Sequence, residues 1–275
     1  RPACSRRPDS RFPGTDDPAA PFVSVYTYDE PTAGAKANGY TAPASTSDLF
    51  DAKGIFAYVA VTSNDVPFTR DLDVRGGLVT GPKTLTATFT ASGGVPEDGW
   101  NMLGNPLPSD IGWNLVTRGA NINVSINVYN DAAGGYNTIN AGSCIGDACK
   151  VASMQGFWVK ADATGGAGAN DITFDETDKV TGATMYKLGP GNIQLATLKI
   201  TSPNGYYNST EFVIEDGSSP AVENIKDGRK INSAEPGSVD ISTLSSDGVQ
   251  LSVNYYPDTN VSLSIPVIVK AGIVG

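Results

Sequence analysis

Apolar and polar residues alternate along this chain in short runs, each closed by Gly, Asn, Asp or Pro, and this pattern limits the fold more than any other feature. Eleven segments read as strands: 22–28, 54–61, 71–78, 83–91, 122–130, 156–161, 171–174, 193–201, 209–216, 249–256 and 261–269. They are rich in Val, Ile, Thr, Tyr and Phe, residues that suit a pleated, half-buried surface. The alternation in KTLTATFT and INVSINVYN predicts strands that bury one face. A capped 3.6-residue period is missing throughout, so helix is expected only as single turns near Ser47–Asp51 and Pro108–Trp113. The expected fold class is all-β, with two consecutive antiparallel, jelly-roll-like β-sandwiches. The small, flexible stretch ADATGGAGAN at 161–170 marks the change between them. The first sandwich is placed at 22–174 and the second, read as truncated, at 175–275. Residues 1–21 hold four of the eight arginines and five prolines, and read as an extended or disordered arm.

Histidine is absent, which removes His-based triads, His-ligated zinc and haem, and a His general base. Carboxylate pairs and all-oxygen metal sites stay open, although no pattern places two carboxylates across a cleft. The net charge of −10 disfavours binding to nucleic-acid phosphates. No run of apolar residues is long enough to cross a bilayer as a helix.

Four features could carry chemistry or cross-links. Cys144 and Cys149 frame a short Gly-containing loop and could close a disulfide ring in an exported protein; free thiols are the alternative, and Cys4 is left over. Asp171, Asp175 and Asp178, with Glu176 among them, form an acidic stretch that could hold a structural calcium or simply be a solvated turn. Trp113, beside Asp110 and Asn114, could offer a sugar-stacking platform; Trp100 and Trp158 read as core, as Trp113 also could. In Gly104-Asn105-Pro106 the Asn side chain is expected to close an Asx-turn. Asn123, Asn208 and Asn260 begin N-x-S/T triplets, acceptors only in a eukaryotic host.

The segment GWNMLGNPLPSDIGWN (99–114) resembles the "GWNLIGNPFPSPIDW" module of large surface and secreted proteins of Bacteroidetes that travel through the type IX secretion system. In order along the chain, INVYNDAAGGYNTIN (126–140), MQGFWVKA (154–161), ITFDETDK (172–179), LKITSPNGYYNSTEFVIEDGSSPAVEN (198–224) and SSDGVQLSVNYYP (245–257) resemble further parts of those proteins. The resemblance implies paired β-sandwiches in an exported multidomain protein, and no known reaction. The expected function is therefore a non-catalytic structural or adhesive module at the cell surface or outside the cell. Its partners would be other domains of the parent protein or neighbouring surface subunits. Two alternatives are a carbohydrate-binding module recognising polysaccharide through exposed Trp, and a subunit of an extracellular fibre or shell joined by strand complementation. The last strand, 261–269, carries little charge to protect an edge, so it is expected either to lie centrally or to borrow a neighbour.

Overall fold

The computed structural model describes residues 25–32, 36–42, 52–57, 77–91, 98–130, 133–143, 149–181, 194–233, 237–257 and 264–271. The arm at 1–21, the turn at Ser47–Asp51, the strand 71–78 up to residue 76, and Cys4, Cys144 and Asn260 lie outside the described residues.

The protein is all-β, with several antiparallel sheets and no α-helix among the described residues. In its N-terminal part β1 (Val25–Tyr28) pairs with β2 (Tyr40–Thr41) and β3 (Phe56–Ala57). Next come β4 (Lys83–Thr86), β5 (Trp100–Gly104), β6 (Ile111–Gly112), β7 (Thr117–Arg118), β8 (Ile122–Asn130) and β9 (Gly135–Asn140). They are followed by β10 (Lys150–Val151), β11 (Gly156–Ala161) and β12 (Asp171–Phe174). A four-stranded sheet runs β5-β11-β8-β9, a three-stranded sheet runs β4-β12-β7, and β10 pairs with β6. The expected single turn at Pro108–Trp113 is instead occupied by β6, whose short pairing with β10 supplies the backbone partners a helical turn would have made internally.

Alternation builds the main core. Ile122, Ile126 and Val128 of β8 and Phe157, Val159 and Ala161 of β11 enter one apolar cluster with Ile172 and Phe174 of β12. Ala87, Leu103, Leu107, Ile111, Trp113, Val116 and Val151 complete it. Strand β5 lacks alternation because both of its faces are buried. Its Asn101 side chain behaves as a backbone substitute: Oδ1 accepts from Thr88 N at 2.9 Å and Nδ2 donates to Thr88 O at 2.8 Å. Just before it, Gly99 has φ +80, and a Cβ there would lie 2.0 Å from Ala161 O, so only glycine fits.

Beyond residue 181 the described strands are β13 (Gln194–Thr201), β14 (Tyr207–Ile214), β15 (Gly228–Arg229), β16 (Val239–Leu244), β17 (Gln250–Tyr256) and β18 (Val267–Ala271). They form one sheet ordered β13-β14-β17-β16-β18, with β15 also on β17. One pairing departs from the antiparallel expectation: β14 runs parallel to β17, because the chain passes through β15 and β16 before returning beside β14. Of the expected last strand, residues 261–263 lie outside the described residues, and among the described residues β18 ends the sheet. Among the described residues β18 pairs only with β16, and Val267 and Val269 are 41% and 59% exposed.

This half has a small apolar cluster of Val213, Val253 and Tyr255. Much of its interior is polar: Asn208, Thr210, Asp240, Ser242, Thr243 and Asn254 are all buried.

Candidate functional site

The proposed sugar platform is not formed. Trp100, Trp113 and Trp158 are 3%, 0% and 2% exposed, so none offers a ring face to solvent. Trp113 donates its indole N–H to Val124 O at 2.8 Å, stacks obliquely on Phe157, and lies under the Arg118 guanidinium at 5.0 Å. An indole this apolar is worth most inside the core once its single donor is satisfied there. Asp110 is turned to structural use, accepting from Ser153 N at 3.1 Å, while Asn114 is exposed on the surface beyond the buried ring. Asn105 closes the expected Asx-turn, its Oδ1 accepting from Leu107 N at 3.0 Å, and its Nδ2 reaches Ser109 O and Ala152 O.

The acidic stretch does not converge either. Asp171 accepts from Thr86 Oγ1 at 2.6 Å on β12. Asp175 and Asp178 cap the 3-10 turn Glu176–Asp178, with Asp175 Oδ1 accepting from Thr177 N and Asp178 Oδ2 from Asp175 N. Those bonds hold the Asp175 carboxyl below its usual range, whereas burial pushes Asp178 up. Carboxylates already occupied by backbone N–H groups are poorly placed to share a cation, and no cluster of three potential ligands occurs among the described residues. Cys149 is buried, and its expected partner lies outside the described residues.

What the structure does bring together is a buried polar seam. The face of β8 opposite the apolar core carries Asn123, Ser125 and Asn127, and all three are buried. Strand β8 therefore buries both faces rather than one, because residues 224–229 cover the polar side. Val124 N donates to Asn224 O at 3.1 Å, and Asn140 Nδ2 donates to Lys226 O at 2.7 Å. Thr138 Oγ1 donates to Asn127 Oδ1 at 2.7 Å and lies 2.8 Å from Ser252 Oγ, which in turn reaches Gly228 O.

Charges are buried in the same seam. Arg229 Nη2 lies 3.0 Å from Asp162 Oδ1. Lys160 lies over the Trp100 ring at 5.6 Å and donates to Asp98 O. Burial pulls the Lys160 ammonium down, opposed by Asp162 and reinforced by Arg229, and pushes the Asp162 carboxyl up, opposed by Arg229 and Lys160. Asp227 accepts from Tyr255 N at 2.8 Å and Glu223 N at 2.7 Å, yet burial dominates and pushes its carboxyl up to about 6.

A second buried group lies on β14, β16 and the residue after β15: Lys230 Nζ is 2.8 Å from Asn208 Oδ1 and 3.0 Å from Asp240 Oδ1.

Sequence reasoning found none of these assemblies. For the seam a signal was available: the outward positions of β8 are Asn and Ser rather than Lys or Glu, which suits a face that is polar but covered. For Lys230, Asn208 and Asp240 there was none, since they sit on separate strands with no shared spacing. Compared with protein-family models, with curated proteins and with solved structures, the chain finds no match.

Proposed function

We propose that this chain is a non-catalytic structural or adhesive module of a large bacterial cell-surface or secreted protein, built as two successive jelly-roll-like β-sandwiches over 22–174 and 175–275. One observation carries the reading. The most distinctive segment, 99–114, spends its special residues on architecture: Trp100 and Trp113 fill cores, Asn101 extends a sheet, and Asn105 fixes a turn. A motif so used builds a rigid body, and the same segment carries the resemblance to type IX-exported surface proteins of Bacteroidetes. In an oxidising location outside the cell, Cys144 and Cys149 would close their loop as a disulfide.

Protease treatment of intact cells of the source bacterium tests the location. The chain is expected to be degraded from outside while a cytoplasmic marker survives; protection until the cells are lysed would refute it. Reduction of the secreted chain should add about 2 Da for one disulfide, and an unchanged mass would exclude the bridge.

A second reading, a subunit of an extracellular fibre or shell, is favoured by β18, which has one strand partner among the described residues and exposes Val267 and Val269. A further strand from a neighbouring subunit would extend the sheet there. Replacing Val269 with Lys should then abolish concentration-dependent association in sedimentation, and association that survives the change would remove this reading.

A further inference from the structure

We propose that Lys230 and Asn208 are joined by an intramolecular isopeptide bond, formed spontaneously after folding with Asp240 as the proton-transfer group. The inference stands on this side-chain cluster alone and does not rest on the cell-surface reading.

Geometry provides the encounter. Lys230 Nζ lies 2.8 Å from Asn208 Oδ1, so the nucleophilic nitrogen is already beside the amide whose carbon it would attack. Asp240 Oδ1 lies 3.0 Å from the same nitrogen, and Asp240 Oδ2 is held by Ser233 N at 2.8 Å. The three groups come from separate, fixed pieces of the sheet. Asn208 is opposite Ile200 in the β13–β14 ladder, Asp240 is opposite Lys270 in the β16–β18 ladder, and Lys230 N donates to Gln250 O at 3.1 Å. Reactants held in this way behave as if at very high local concentration.

Burial provides the reactivity. The Lys230 and Asp240 side chains are 3% and 7% exposed, and Asn208 is 3% exposed. Dehydration favours the neutral amine, and Lys270 pushes in the same direction, while Asp240 opposes as the counter-charge. A desolvated Lys amine is an effective nucleophile. Water is largely shut out, so hydrolysis competes poorly with attack.

The step balances without a further reagent. Asp240 takes one proton from the Lys230 ammonium. The free amine attacks Asn208 Cγ, forming the new C–N bond and a tetrahedral oxyanion. A proton passes from the attacking nitrogen to the side-chain amide nitrogen, the old C–N bond breaks, and ammonia leaves. The product is a secondary amide beside a protonated Asp240. A buried ion pair, costly to desolvate, is thereby exchanged for two neutral hydrogen-bonding groups.

Mass spectrometry on the folded, fully reduced 275-residue chain decides the matter. The expected result is a mass about 17 Da below that of the sequence, one ammonia lost on amide formation. Proteolysis should yield a branched peptide joining the segment with Asn208 to the segment with Lys230, uncut by trypsin after Lys230. Lys230→Met and Asn208→Ala should each restore the full mass. Asp240→Ala should do so while keeping both reacting groups, with circular dichroism verifying that each variant is folded. The branched peptide from the wild-type chain is decisive even if a variant fails to fold. A folded wild-type chain of unmodified mass would overturn the proposal. So would a loss of water joining Lys230 to Asp240 instead.

Discussion

Replacing Trp113 with Ala should destabilise the protein severely, and the structure indicates how much. The ring is fully buried among Phe157, Arg118 and the main cluster. Large-to-small deletion of a buried aromatic costs about 3–5 kcal/mol. Val124 O would also lose its indole donor, and an unsatisfied buried acceptor costs about 1–3 kcal/mol, part of which is already contained in the first figure. Trp113→Phe separates the terms: it keeps most of the ring and loses the donor, so about 2 kcal/mol is expected. Urea unfolding followed by circular dichroism reads both. With a slope of about 2 kcal/mol per M, the Ala variant should shift the unfolding midpoint by about 2 M and the Phe variant by about half as much. A midpoint unchanged in Trp113→Ala would mean that the ring is not packed as described. Binding of a soluble polysaccharide lost in a variant of unchanged stability would return Trp113 to the role of a sugar platform.

The remaining predictions concern the seam and the second half. Arg229→Met should cost about 3–5 kcal/mol by leaving the Asp162 carboxylate buried without its partner, and adding Asp162→Leu should recover much of that loss; equal stability of the single variant and the wild type refutes a desolvated pair. Asp227 has a folded pKa raised from 3.8 to about 6, so the folded state holds its proton more tightly than the unfolded state. Its contribution to stability is therefore fullest below pH 4 and falls by up to about 3 kcal/mol as pH rises through 6. The stability difference between wild type and Asp227→Asn, measured at pH 4.5 and 7.5, should shift in favour of the variant at the higher pH; a constant difference would place Asp227 in a more solvated setting. In hydrogen exchange, β8 and β17 should be well protected and β18 fast, because β17 lies between β14 and β16 whereas β18 has one partner among the described residues. Protection of β18 equal to that of β17 in dilute monomer would show a further strand on the edge.

Strands with an apolar residue at every second position were legible from the sequence: 122–130, 156–161 and 171–174 match β8, β11 and β12 at both ends, although β8 and β11 bury both faces. Strands without that apolar period were missed. Trp100–Gly104 is buried on both faces, and its Asn101 works as a backbone substitute, so its period is masked. Val239–Leu244 alternates weakly because Asp240, Ser242 and Thr243 are buried among polar partners rather than exposed. The site was less legible than the fold for a physical reason. A tryptophan in a Gly- and Asn-rich segment has the same spelling whether its ring faces sugar or core, and only the neighbours that close over it decide. The seam and the Lys230 cluster depend on contacts between distant strands, which local spacing does not encode.

The parallel pairing of β14 with β17 imposes an order on synthesis. Two turns close locally as soon as they leave the ribosome: Ser202 N to Tyr206 O for β13–β14, and Ser245 N to Val249 O for β16–β17. Glu211 finds Val253 only after all of β15 and β16 has been made, since a parallel neighbour cannot be reached through a tight turn. Until then the nascent chain carries β14 with one bare edge, and closure of that long loop sets the pace of folding. A pause in translation between β14 and β17 would lengthen the window in which that edge can capture a neighbouring nascent chain, whereas a pause after β17 would leave only β18 waiting.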